Sequence, residues 1–94
     1  MNVPTLGSMT EEPFPSTEYF RTVRMRPDRA IIRDEWIRRV IDQSDRAAVQ
    51  ADGRVRLWAE IAEAGGRVLR VVLLPDRVTV HNAFFDRSFR GSEQ

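Results

Sequence analysis

Glu60, Arg70 and His81 carry side chains that could bind a phosphate or move a proton. Each falls in a separate predicted strand. An arginine can hold a phosphate through its forked N–H donors, and a histidine can exchange a proton near neutral pH. If the three strands bring these residues into one row, the row could form a polar floor for catalysis or anion binding. The alternative is a cross-strand ion pair beside an ordinary exposed histidine.

Aromatic and polar residues flank this row. Trp58 is predicted to lie on the same face beside Arg56, which would suit stacking on nucleic-acid bases. The alternative is an apolar patch covered by the C-terminal tail or by a partner. The last strand runs out through Asn82 to Asp86 and Arg87, which form either a terminal salt bridge or functional groups at the rim.

Four runs rich in β-branched and aromatic residues predict strands at residues 46–50, 54–62, 67–74 and 78–84. Turns are predicted at residues 51–53 and 64–66, where glycine allows a positive φ, and at Pro75-Asp76. The order predicts an α+β fold in which two N-terminal helices pack on one face of a four-stranded antiparallel meander.

Turn lengths predict the register of these strands. The three-residue turn at 51–53 places Val49 opposite Val55. The turn at 64–66 places Ile61 opposite Leu69. The two-residue turn at Pro75-Asp76 places Leu73 opposite Val78. Together these pairings keep one face apolar and align Glu60, Arg70 and His81 on the other.

Two helices precede the sheet. Ser16-Thr17 can cap the first, which carries Tyr19 and Val23 on one side and must end before Pro27. Residues 28–32 are predicted to connect the helices, in an extended form. Asp34 can cap the second helix, whose apolar stripe comprises Trp36, Ile37, Val40 and Ile41.

Composition limits the classes of function. The chain has 94 residues and a formal net charge of +1, and all fifteen basic residues are arginines. The arginine bias indicates either a GC-rich genome or forked contacts to phosphate or carboxylate. The absence of cysteine excludes disulfides, and the single histidine excludes a multi-histidine zinc site. We expect no cofactor, no membrane span and a cytoplasmic location.

We predict one α+β domain over residues 17–90, between a disordered segment at 1–16 and a disordered tail at 91–94. The basic run VRMRPDRAIIR at residues 23–33 could contact RNA or an acidic partner helix. Such runs are also typical of a solvated helix edge.

Several short strings resemble a family of small bacterial proteins related to the RelE and BrnT toxins. They are Tyr19-Phe20, Glu35-Trp36-Ile37, Arg46, Asp52-Gly53-Arg54, Arg56, Trp58, Leu69-Arg70-Val71-Val72 and Asn82-Ala83-Phe84-Phe85-Asp86-Arg87. The string at residues 82–87 is the most specific of them.

The resemblance implies a RelE-like sheet domain that cleaves RNA without a metal and is neutralised by an antitoxin protein. It implies that Arg70 and Arg56 hold phosphate, His81 is the acid or base, and Arg87 assists. Trp58, Glu60 and Asn82 would complete the surface that contacts RNA or the partner. The alternative function is a non-catalytic protein-interaction or dimerisation module that uses the exposed sheet face.

Overall fold

The computed structural model describes residues 13–87 as three helices and a four-stranded antiparallel sheet. The helices are α1 (Glu18–Val23), α2 (Pro27–Ala30) and α3 (Asp34–Gln43), and the strands are β1 (Arg46–Val49), β2 (Val55–Ile61), β3 (Arg67–Leu73) and β4 (Val80–Phe85). The α+β class is therefore confirmed. Residues 13–87 contain three helices where two were predicted, because α2 overlaps the connecting segment at residues 28–32 that was predicted to be extended.

Local sequence explains where the helices begin and end. The Thr17 hydroxyl accepts the Phe20 N–H at 3.1 Å, which confirms the predicted cap of α1. Pro27 occupies the first turn of α2, where its missing N–H leaves no helical bond unmade. Asp34 does not cap α3. It is the first helical residue, and its carboxylate pairs with Arg24 instead.

The sheet is a meander in the order β1-β2-β3-β4. The predicted pairing of Val49 with Val55 is confirmed, and Gly53 closes that turn with a φ of +92°. The next connection is longer than predicted because residues 62–64 form a 3-10 turn ahead of the two glycines. Ile61 therefore lies opposite Arg67 instead of Leu69, although the two-residue shift leaves every side chain on its predicted face.

The predicted register is also wrong at the β3–β4 connection. Asp76 accepts the N–H groups of Val78 and Thr79 at 2.8 and 2.9 Å and the Thr79 hydroxyl at 2.6 Å. These bonds build a loop that is closed by Leu74 N–H donating to the Thr79 carbonyl at 2.9 Å. Strand β4 consequently starts at Val80, which lies opposite Leu73, and Val78 is 52% exposed.

A β-bulge follows the β3–β4 loop. Leu73 pairs with Val80, whereas Val72 pairs with Asn82, so His81 is an extra residue in β4. Phe84, rather than His81, therefore lies opposite Arg70.

One cluster of buried side chains joins the helices to the sheet. The most deeply buried are Phe20, Ile37, Val40, Ile61, Leu69, Val71 and Val80. The predicted stripe of α3 is confirmed, because Trp36, Ile37 and Val40 are buried in this cluster and Ile41 packs against it.

The packed part of the chain begins before the predicted boundary at residue 17. Phe14 is 4% exposed and belongs to the core cluster. Ser16 forms a parallel bridge with Val80, and the Thr17 N–H donates to the Val80 carbonyl at 3.0 Å. The predicted disorder of residues 1–12 and of the tail at 91–94 lies outside the described residues.

Candidate functional site

The sheet face directed away from the core cluster, here called the outer face, carries most of the predicted site residues. Its members are Arg56, Trp58 and Glu60 from β2, Val68, Arg70 and Val72 from β3, and Asn82 and Phe84 from β4. Trp58, Arg70 and Phe84 form one row across three strands, and Arg56, Val72 and Asn82 form the next. The predicted row of Glu60, Arg70 and His81 does not form, because both turn lengths were mispredicted.

Asp86 organises the middle of the outer face. Its Oδ2 atom accepts the indole N–H of Trp58 at 3.0 Å and two N–H groups of Arg70, from Nε at 3.1 Å and from Nη2 at 2.9 Å. The side chain of Asp86 is 5% exposed and that of Arg70 is 22% exposed, so the pair is largely shielded from water. The sequence predicted either a terminal salt bridge of Asp86 and Arg87 or functional groups at the rim. The structure shows a salt bridge of Asp86, with Arg70.

The side chain of Trp58 is buried and is not exposed to solvent on the outer face. The residue is 7% exposed, and the Arg70 guanidinium lies 5.5 Å from its ring centroid. The predicted stacking of a base on this ring is therefore wrong for this conformation, since the ring face is not open. The alternative interpretation, a covered apolar patch, agrees better with the structure. Arg70 and Asp86 are among the residues that contact the Trp58 side chain.

Guanidinium groups form a layer over the aromatic side chains. The Arg70 guanidinium lies 4.9 Å from the Phe84 ring centroid, and that of Arg29 lies 5.2 Å from the same ring. Arg29 also donates to Asn82 Oδ1 at 2.9 Å, which fixes the predicted contact residue Asn82. The same guanidinium groups donate along their edges within the chain, Arg70 to Asp86 and Arg29 to Asn82.

Arg56 is incompletely satisfied. Its Nε atom is buried and has no hydrogen-bond partner among the described residues. A buried donor without an acceptor is unfavourable by the desolvation free energy of that group. The same burial shields this N–H group from an approaching anion, although the Arg56 residue as a whole is only half-buried.

His81 lies near the start of β4, in a separate polar cluster with α1. Its Nδ1 atom lies 3.1 Å from the Thr17 hydroxyl oxygen, and its ring stacks on Tyr19 with centroids 4.9 Å apart and planes 25° apart. Partial burial lowers the pKa of His81 below its ordinary value of 6.5, and the positive charge of Arg54 lowers it further. The imidazole is therefore neutral at neutral pH and can accept a proton.

The three residues predicted to be catalytic do not converge. His81 is the second residue of β4, whereas Arg87 lies two residues beyond the end of this strand, so the chain between them spans at most ~20 Å. Arg70 lies opposite Phe84, ~10 Å along the strand from His81. These positions place the three groups along a path and not around a single reacting atom.

The basic run at residues 23–33 was predicted to be either a contact surface for RNA or an acidic helix, or a solvated helix edge. Its arginines do not all share one environment. Arg24 pairs with Asp34 and stacks 4.9 Å from the Phe20 centroid. Arg29 reaches the outer face, as described above. Arg26 and Arg33 are exposed, as expected for a solvated helix edge.

Sequence reasoning missed Tyr19 and Arg29. Tyr19 was predicted to lie on the same side of the first helix as Val23, but Tyr19 is 51% exposed and covers His81 whereas Val23 is buried. Position in the first turn of α1 gives no signal for this exposure, since the neighbouring Phe20 is 2% exposed. The contact of Arg29 with β4 spans 53 residues in sequence, and we find no local signal for it.

No helix within residues 13–87 combines the length and apolar character that crossing a membrane requires. In the same residues, no group of three or more histidine and acidic side chains is arranged to hold a metal ion. No protein-family model, curated protein or solved structure gives a significant match to the chain.

Proposed function

We propose that the protein is a cytoplasmic RelE/BrnT-like toxin domain that binds RNA along the outer face and cleaves it without a metal. The observation that carries the proposal is the neutral His81 imidazole stacked beneath the exposed Tyr19 ring, close to a face layered with guanidinium groups. RNA cleavage of this kind needs a proton acceptor, a proton donor and positive charge near the phosphate.

The proposed step uses the RNA's own 2′-hydroxyl as nucleophile. His81 accepts the 2′-hydroxyl proton as that oxygen bonds to the adjacent phosphorus. The bond from phosphorus to the 5′ oxygen breaks, and the Tyr19 hydroxyl donates a proton to that leaving oxygen. The products are a 2′,3′-cyclic phosphate and a 5′-hydroxyl end, and solvent restores both side chains.

Arginines along the outer face hold the RNA backbone in this proposal. Arg56 is a half-buried residue of the outer face and supplies positive charge for a backbone phosphate. Arg70 of β3 and Arg87, which follows β4, contact phosphates of neighbouring nucleotides instead of the one being cleaved. An antitoxin protein with an acidic surface would neutralise the domain by covering the same arginines.

Cleavage of a single-stranded RNA by the full chain in excess EDTA tests the proposal. We expect His81→Asn to reduce the cleavage rate by at least about a hundredfold while RNA affinity stays unchanged, because the imidazole acts on the reacting proton. Tyr19→Phe removes only the hydroxyl and should also reduce the rate. Absence of cleavage by the wild type, or equal rates for wild type and His81→Asn, would contradict the catalytic proposal.

RNA affinity is tested separately with a matched pair of arginine variants. Arg56→Ala should weaken binding and lower the slope of log affinity against log salt by about one, because one phosphate contact is lost. The control is Arg26→Ala, which changes an exposed arginine whose side chain makes no capping bond. Equal salt slopes for the two variants would place the RNA elsewhere.

A non-catalytic interaction module is the second candidate. The observation in its favour is that Arg70 and Arg29 are already bonded within the chain, which makes the outer face a rigid, basic surface. Such a surface suits an acidic polypeptide. Tight binding of polyglutamate together with no binding of poly(U) would select this candidate over the first.

A further inference from the structure

The two edge strands of the sheet, β1 and β4, differ in whether another segment of the chain covers them. At the β4 edge, the chain before α1 pairs with Val80, whose N–H donates to the Pro15 carbonyl at 2.8 Å. At the other edge, all four residues of β1 are exposed, and Val49 is 59% exposed. Within residues 13–87 no strand pairs with the outer side of β1.

An open edge strand can pair with another chain, and proteins commonly prevent this with a charge or a proline on the edge. The centre of β1 is Ala47-Ala48-Val49, which contains neither. Small and β-branched side chains of this kind allow a second strand to approach closely. Although β1 is only four residues long and begins at Arg46, its three other residues are therefore open to strand addition.

The hydrogen-bonding pattern identifies which residues can receive a second strand. Gln50 N–H donates to the Arg54 carbonyl at 2.7 Å, so these residues form a hydrogen-bonded pair of the β1–β2 ladder. Because such pairs alternate along antiparallel strands, Ala48 also directs its N–H and C=O toward β2. Ala47 and Val49 direct theirs outward.

We propose that β1 pairs antiparallel with β1 of a second copy of the chain, about a two-fold axis at Ala48. This register pairs Ala47 of each copy with Val49 of the other. The outward N–H and C=O groups of these residues in both copies then all form hydrogen bonds between the copies. Ala48 then faces Ala48 of the second copy at a non-hydrogen-bonded position, where Cα atoms lie ~4.5 Å apart. Alanine side chains fit this spacing without a clash.

Charge and apolar burial agree with the same register. Arg46 lies opposite Gln50 of the second copy, so the two Arg46 residues are four rows apart, ~13 Å along the strands. On the core side of the sheet, Val49 covers Ala47 of the second copy. The result is an eight-stranded sheet whose two outer faces are continuous, a feature that the function proposed above does not require.

The oligomeric state of the full chain and two edge variants tests this pairing. Sedimentation of the wild type across a concentration series should give a monomer–dimer equilibrium. Ala47→Pro removes an outward N–H and should weaken dimerisation at least about tenfold, because two intermolecular hydrogen bonds are lost. The control is Ala62→Glu, at an exposed position outside the strands, which should leave the equilibrium unchanged.

Ala48→Glu and Ala48→Lys add a test that depends on the two-fold axis. Each variant alone should dimerise more weakly than the wild type because like charges face each other across the axis. An equimolar mixture of the two should form heterodimers more readily than either forms homodimers. No other antiparallel register places residue 48 against itself, so an absence of this preference would overturn the proposed pairing.

Amide hydrogen exchange distinguishes a second copy from a cover supplied by the same chain. Protection of the Ala47 and Val49 amides should rise with protein concentration, while the Ala48 amide should be protected at every concentration. Protection of Ala47 and Val49 that is independent of concentration would overturn the proposal. A wild type that stays monomeric throughout the series, with these two amides unprotected, would also overturn it.

Discussion

The two faces of the sheet are built by different interactions. The core face is formed by apolar side chains such as Leu69, Val71 and Val80, all with no measurable exposure. The outer face has Trp58 and Asp86 buried beneath Arg70, and its contacts are directional hydrogen bonds and guanidinium stacking. The core face follows from hydrophobic alternation alone, whereas the outer face depends on which residue is opposite which.

This difference explains how each face responds to a register error. A two-residue shift of β2 against β3 exchanges one apolar neighbour for another, so the core face stays apolar. The same shift replaces Glu60 by Trp58 opposite Arg70, which changes a salt bridge into a stacking contact. Apolar burial is therefore robust to the offset, and the chemistry of the outer face is not.

Leu69→Ala should have the largest effect of the substitutions considered in this comparison. Leu69 is fully buried at the centre of the core cluster, and its truncation should lower the free energy of unfolding by about 3 kcal/mol. Denaturant unfolding followed by circular dichroism measures the loss. The matched control is Val78→Ala, at a 52% exposed apolar position, which should change stability by less than about 0.5 kcal/mol.

Asp86→Ala should have the second largest effect, because it removes the acceptor shared by Trp58 and Arg70. We expect a loss of about 2 kcal/mol, less than for a fully buried ion pair, since the Arg70 side chain is 22% exposed. The exposed Asp42→Ala is the control. A loss equal to that of the control would mean that Asp86 is only a rim charge.

A double variant sharpens this result. Adding Arg70→Leu to Asp86→Ala removes the cation that the first substitution leaves unpaired. The combined loss should be smaller than the sum of the two separate losses, because the separate variants each leave a shielded charged group without its partner. Additive losses would show that the two groups do not interact.

The sequence predicted those parts of the fold that depend on local patterns. Alternation located the strands to within two residues, the α3 stripe located its buried face, and Gly53 located the first hairpin turn. Each of these features follows from residues that are close together in the chain. None of them requires knowledge of the register between strands.

The candidate site could not be predicted to the same extent because it depends on two loops. The Asp76 carboxylate holds the backbone and hydroxyl of Thr79, so a Pro75-Asp76 turn of two residues becomes a longer loop. The aspartate followed three residues later by threonine was the available signal. The contact of Trp58 with Asp86 spans 28 residues and appears only once that loop length is fixed.

Trp58→Phe tests the outer face with a smaller change. The substitution keeps an aromatic ring beneath Arg70 but removes the indole N–H that donates to Asp86. We expect a loss of about 1 kcal/mol, since Asp86 keeps its two bonds from Arg70. In the Asp86→Ala background the same substitution should have a much smaller effect, because the indole N–H has already lost its acceptor.

Among these variants, His81→Asn should change the free energy of unfolding least at neutral pH. Its effect on stability should become visible as the pH is lowered. The folded-state pKa of His81 lies below 6.5, so as the pH falls below about 6.5 the unfolded chain takes up a proton before the folded chain does. The wild type should therefore lose stability in this range, and the variant should lose less.

Carboxylates titrate mainly at lower pH, and the pKa of Glu63 is lowered to about 2 by its hydrogen bonds from Arg39. Unfolding midpoints between about pH 8 and pH 5 isolate this contribution, since the chain has one histidine. Equal slopes for the two proteins would mean that the pKa of His81 is the same in the folded and the unfolded chain.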